Sequence, residues 1–144
     1  MRFVSAATAV ELVRPGQRVF GHAGAATPQA LLRALTARAG ELRDVELVHL
    51  HAEGEAPWAA PGLAASLRSN ALFLGGILRE AGARGDADYV PAFLSEMPAL
   101  FRQRVLPLDP ALAGPIHVRP FQGAKEGDAV KVRILRRPKA DTES

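Results

Sequence analysis

Residues 17–35, QRVFGHAGAATPQALLRAL, read as strand, small-residue loop and helix in direct succession. Val19 and Phe20, β-branched and aromatic, suit a short buried strand over 18–20. Gly21, His22, Ala23, Gly24, Ala25 and Ala26 carry so little bulk that a ligand or a second backbone can approach closely. Thr27 is a good N-cap and Pro28 suits the first helical position. Ala30, Leu31, Ala34, Leu35 and Arg38 follow at helical spacing, and Gly40 is expected to end the helix. The N–H groups at such a helix start attract phosphate or carboxylate. The loop is neither G-x-G-x-x-G nor a P-loop, and no Lys follows its glycines. Two readings stay open: a ligand loop, or a βα turn kept small so that its helix can pack. His22 divides the same way, between bonding a substrate carboxylate and ordering the loop through its backbone.

Outward from this stretch, strand and helix segments alternate at βαβ spacing. Ser5 caps a short helix over 6–13, with Ala9, Val10 and Val13 inward, and the turn at 14–17 feeds the first strand. Residues 45–50, VELVHL, form a second strand, apolar enough for a sheet covered on both faces. The Pro/Gly-rich loop 52–62 then lies where open α/β sheets place ligands, beyond a strand's C-terminal end. A short helix is predicted over 63–68 and a third strand over 71–74. Gly75 and Gly76 turn into a helix over 77–83, and an irregular strand follows over 88–94. Ser95 is expected to cap a helix over 96–102. The fold class is therefore α/β, a mainly parallel sheet flanked by helices. Past 107, prolines interrupt the chain and a short β-rich tail follows. Its apolar runs are 116–118 and 130–135; the second alternates cleanly, as an edge strand or hairpin arm does. Residues 136–144 are predicted to be disordered.

Composition narrows the function. With 144 residues, 48% hydrophobic and 23% charged, the chain is long enough for one domain with a true core. The net charge of +3 owes much to Lys125, Lys131, Arg133, Arg136, Arg137 and Lys139, all in the last twenty residues. Such a basic tail reads as a solvated segment, so no nucleic-acid partner is expected. The absence of cysteine removes disulfides, thiolate metal sites and a cysteine nucleophile. No apolar run approaches a membrane span and no signal pattern opens the chain, so no membrane partner is expected and the cytoplasm is the default location.

Five blocks, in order, resemble the N-terminal half of the acetyl-CoA hydrolase/transferase family, which includes acetate, succinate and 4-hydroxybutyrate CoA-transferases. They are GHAGAATPQALLRAL (21–35), ELRDVELVHLHAEGEAPW (41–58), SNALFLGG (69–76), REAGARGDADYVPAFLSEMPALF (79–101) and LPLDPAL (106–112). The resemblance implies one lobe of a two-lobed CoA-transferase-like fold over 1–113, followed by a divergent β-rich segment at 114–135. It implies coenzyme A or acyl-CoA as substrate with no permanently bound cofactor, and a small carboxylate as the second substrate. Gly24, Ala25, Ala26, Thr27 and His22 become the candidate substrate- or CoA-binding residues. In the family, a glutamate of the C-terminal half attacks the thioester. No catalytic residue is therefore expected among these residues, and Glu53, Glu55 and Glu96 fall in the supporting half. The chain is expected to be truncated relative to the family and to need a C-terminal half from a partner chain, with a homodimer possible. The alternative is a non-catalytic remnant serving as an interaction or ligand-binding module. Family members often carry His-Asn where this chain has Ser69-Asn70, and Asn where it has Ile77, which removes polar groups from the expected cleft.

His49 and His51, two apart on one strand face, have the geometry to share a metal. No third spaced ligand accompanies them, so no metal site is expected. Ser66, Ser69 and Ser95 lack His/Asp partners in sequence, and Trp58 and Tyr89 read as packing residues.

Overall fold

The computed structural model describes residues 4–103 and 133–136. Five strands form one sheet: β1 Gln17–Gly21, β2 Val45–His49, β3 Leu67–Ala71, β4 Ala87–Tyr89 and β5 Arg133–Arg136, in the order β4-β3-β2-β1-β5. The first four run parallel, and β5 pairs antiparallel with β1. The mainly parallel α/β architecture is as expected. Residues 133–136, which overlap the apolar run at 130–135, form an edge strand, so Arg136 ends a strand rather than opening a disordered tail. Residues 130–132 lie outside the described residues. The run at 116–118, the block at 106–112 and the tail at 137–144 lie outside the described residues.

Pairing places Val19, Leu47 and Ser69 in one row and Phe20, Val48 and Asn70 in the next. Because strand side chains alternate, these rows face opposite sides of the sheet. On the first side, Val19, Val45, Leu47 and Leu67 are buried against Val10, Leu31, Leu32, Leu35 and Trp58. Those residues come from α1 Ala6–Val10, from α2 Gln29–Ala37 and from the loop after β2. Each fully buried leucine stabilises the fold by roughly 1.5–3 kcal/mol, so this side carries most of the core. Arg38, at the end of α2, donates to the carbonyl of Val10 and reaches that of Val13, tying α1 down.

The second side is smaller and mixed. Val48, Leu72 and Met97 cluster there, with Phe20, Val90 and Leu100 packed around them. Beside them a buried Arg18 pairs with Glu46, whose other oxygen accepts from Asn70 Nδ2 at 2.6 Å. Further out, Arg68 grips Asp88 with two bonds of 2.6 Å each.

Several local expectations need correction. The helix over 63–68 is absent: residues 63–66 turn, and 67–71 is the strand, four residues earlier than the apolar run suggested. A strand reading LRSNA looks too polar to be central, yet each polar side chain finds a partner across the sheet or beneath it. The run 71–74 outlasts the pairing, leaving Phe73 exposed. The fourth strand is only Ala87–Tyr89, since Pro91 cannot continue a ladder. Helix α2 ends at Ala37 rather than at Gly40. At α4 Met97–Arg102 it is the Glu96 carboxylate, not Ser95, that takes a backbone N–H, from Phe93 at 2.9 Å. Helix α3, Arg79–Ala83, follows a 3-10 turn at Gly76–Leu78, close to expectation. Ser5 caps α1 as expected, accepting from Thr8 N at 3.1 Å.

Candidate functional site

The loops leaving β1, β2 and β3 are laced together at the C-terminal end of the parallel sheet. Gly24, at φ +58°, donates its N–H to the carbonyl of His51 at 2.7 Å. Thr27 does not cap α2. Its Oγ1 donates to the Gly24 carbonyl at 2.7 Å and accepts the Glu53 N–H at 3.1 Å, so one hydroxyl fixes both loops. The Gln29 amide donates to the Glu53 carbonyl. Gly54, at φ +88°, lies so close beneath it that a Cβ would sit 2.6 Å from Gln29 Nε2. Its conformation favours glycine at 54, and a side chain there would also push the Gln29 amide aside.

The third loop meets the other two at His51. A Cβ on Gly75 would lie 2.9 Å from His51 Cε1 and 3.0 Å from Nδ1. The ring stands edge-on to Phe73 at 5.0 Å, and its Nε2 contacts Glu53 Oε1 at 2.5 Å. Its Nδ1 is buried and without a partner, and so is Gln29 Oε1.

Of the expected ligand residues, Gly24, Ala25 and Ala26 form a 3-10 turn. The N–H groups of Ala26 and Thr27 go to the carbonyls of Ala23 and Gly24, and that of Gly24 goes to His51. These amides shape the loop. His22 is exposed, and its Nδ1 lies 2.9 Å from the Ala23 N and 3.3 Å from the Ala23 carbonyl, so the ring contacts its own turn.

Below the loops sits a dry polar triad. Trp58 Nε1 donates to Ser69 Oγ at 2.8 Å, and His49 Nε2 contacts the same oxygen at 3.3 Å. Burial strips water from the His49 imidazolium and, secondarily, His51 repels it, so its pKa falls to about 4 and the ring is neutral. His49 and His51 do not share a ligand position: one faces Ser69, the other Glu53. Among the described residues no three His, Cys, Asp or Glu side chains converge as metal ligands would. Ser69 and Asn70 are buried on opposite faces of β3 and Ile77 packs against the core, so none of the three lines the loop cluster. Sequence reading passed over Gln29, the His51–Glu53 pair and Gly75. The available signal was His-x-Glu directly after a strand, with a Gly after the next one.

The acetyl-CoA hydrolase/transferase N-terminal domain family matches residues 1–112. The chain is 43% identical over 102 residues to a succinyl-CoA:acetate/propanoyl-CoA:succinate CoA transferase of Fasciola hepatica, covering 69% of this chain and 21% of that protein. It is 38% identical over 112 residues to a 4-hydroxybutyrate coenzyme A transferase of Clostridium kluyveri, covering 77% of this chain and 26% of that one. RipA from Yersinia pestis has the same fold, with a TM-score of 0.63 at 21% identity over 72% of this chain and 27% of its own.

Proposed function

Because this chain belongs to the acetyl-CoA hydrolase/transferase family, we propose that it forms the N-terminal part of an enzyme moving CoA between an acyl-CoA and a small carboxylate such as acetate. It spans 21% and 26% of the lengths of the two curated relatives it matches. On this reading the attacking glutamate comes from polypeptide outside these 144 residues, on a second chain or a further segment. That glutamate attacks the thioester carbonyl and expels the CoA thiolate, leaving a mixed anhydride. The thiolate then attacks the glutamyl carbonyl, releasing the acid and leaving an enzyme-bound thioester, which passes CoA to the incoming carboxylate. Splitting the exchange into covalent steps lowers each barrier without an external energy source. The part assigned to this chain is to hold the acid or thioester end at the loop cluster, where fixed dipoles stabilise developing oxyanion charge. CoA is a substrate here rather than a resident cofactor, and the cytoplasm, with its acyl-CoA pool, is the proposed setting.

The observation that carries this reading is the bond from Gly24 N–H to the His51 carbonyl, which joins the first two βα loops into one surface at the sheet's C-terminal end. Open parallel sheets bind their ligands at that end. Exposed Phe73, Tyr89, Phe93 and Leu94 lie in or just beyond the ends of β3 and β4 and support coverage by a partner lobe. The test is to mix the chain with a C-terminal half from a relative and measure acetate-dependent CoA exchange. Exchange is expected in the mixture only. A glutamyl–CoA adduct found by mass spectrometry on the chain alone would overturn the division of labour.

A further inference from the structure

His51 and Glu53 belong to the loop cluster, yet neither is accounted for by the fold. The Glu53 backbone is held at both ends, its N–H by Thr27 Oγ1 and its carbonyl by Gln29. Its carboxylate is not confined: the side chain is 57% exposed and rests on His51 Nε2. An exposed pair of this kind is weak enough for another carboxylate to displace it.

The His51 backbone and ring are both positioned by neighbouring loops. The His51 carbonyl takes the Gly24 N–H, Phe73 lies against the ring, and Gly75 leaves room for Cε1 and Nδ1. Gly75 sits at φ −71°, where any residue is at ease, so its backbone does not require glycine. What a side chain there would disturb is the ring. The two buried polar atoms without partners at this rim, His51 Nδ1 and Gln29 Oε1, belong to the residues that contact Glu53. His49 Nδ1 and Asn70 Oδ1 inside the sheet are without partners too, but at the rim such an atom lies beside an exposed, displaceable carboxylate, where a ligand can reach its residue.

Resting on the reading that the loop cluster receives the acid end of the substrate, we propose that His51 is its carboxylate-binding residue. Glu53 is the built-in placeholder whose carboxylate gives way to the substrate's. The ligand class is a small monocarboxylate. His51 offers one outward nitrogen, and among the described residues no third acidic or imidazole group joins the pair to make a cation site. His49, the nearest titratable neighbour behind it, is neutral and does not compete for the anion.

The experiment is an NMR titration of the whole 144-residue chain with sodium acetate, against sodium chloride at equal ionic strength. Three variants accompany it. Acetate is expected to move the His51 ring signals together with the amides of 24–27 and 53. Glu53→Gln, which removes the competing charge, is expected to tighten acetate binding about threefold, in line with a weak exposed pair. His51→Gln is expected to weaken it at least fivefold. Gly75→Ala is expected to do likewise by displacing the ring, with the remaining amide spectrum unchanged. It keeps the test decisive should His51→Gln not fold. Unchanged or weaker binding in Glu53→Gln overturns the placeholder role. Acetate shifts at 24–27 with a silent His51 ring overturn the inference and leave the proposed function standing. Silence at both places, in wild type and in Glu53→Gln, overturns the inference too, and CoA exchange in the mixture with a C-terminal half then decides the proposed function by itself.

Discussion

The core beneath β2 and the loop cluster just beyond its last residue hold the same residue type, at positions 49 and 51, under opposite conditions. His49 is 1% exposed and shares the Ser69 hydroxyl with Trp58. His51 has a side chain 34% exposed and a carboxylate at its outer nitrogen. Two residues of chain separate an imidazole that burial keeps neutral down to about pH 4 from one in a position to meet an anion. The difference follows from where pairing stops. A residue inside the ladder has neighbours on both flanks and a layer above it, whereas the next residue on that side has only loops around it.

Breaking the dry side should cost the most. Trp58→Ala removes a fully buried ring together with the donor to Ser69, and should destabilise the chain by about 3–5 kcal/mol, as such truncations do. Urea unfolding of the variant measures it. A loss below about 1 kcal/mol would mean that the ring is not part of the core.

Acid should come next. The folded His49 titrates near 4 while the unfolded residue titrates near 6.5. Between those values the unfolded chain binds more protons, so stability is full above about pH 6.5 and is lost as pH falls toward 4. Below that the loss levels off. The total is on the order of 3 kcal/mol for this group. His49→Gln should remove that slope from the pH dependence of the urea midpoint. An identical slope in the variant would assign acid sensitivity elsewhere.

The loop side should respond more gently in stability and more sharply in shape. Gly54→Ala places a Cβ against Gln29 at a φ of +88°, and should cost roughly 1–3 kcal/mol. Its NMR signature should be a shift of the Gln29 side-chain amide, with the Trp58 indole signal unmoved. Movement of both signals would erase the boundary between the two regions. Gly24 carries a milder version of the same constraint. Nothing lies within 4 Å of its missing Cβ, but φ +58° makes Gly24→Val a strained substitution rather than a neutral one.

The smallest effect belongs to the sheet's far edge. Hydrogen bonding to Arg68 holds the Asp88 carboxyl below its usual range, yet both side chains are well exposed. Asp88→Ala should cost less than about 1 kcal/mol despite two short bonds, because water and salt screen them. A larger loss in thermal unfolding would show that β4 depends on this pair to stay docked.

Local chemistry in the sequence was enough to determine the strand at 17–21, the helix after it, the strand at 45–49, the Ser5 cap and the α/β class. Each rests on propensity, apolar spacing or capping within a few residues, and those interactions act over that range. The order of blocks was likewise enough to point to the family. The sequence misled at 67–71, where Ser69 and Asn70 look unfit for a central strand until Trp58 and Glu46 supply their partners from 11 and 24 residues away. It misled again at Thr27, whose hydroxyl serves a loop 26 residues distant instead of its own helix. His51, Glu53 and Gly75 became a site only when parallel pairing brought the ends of β2 and β3 side by side. Such contacts join residues that no local pattern links, so only the tertiary structure could decide them.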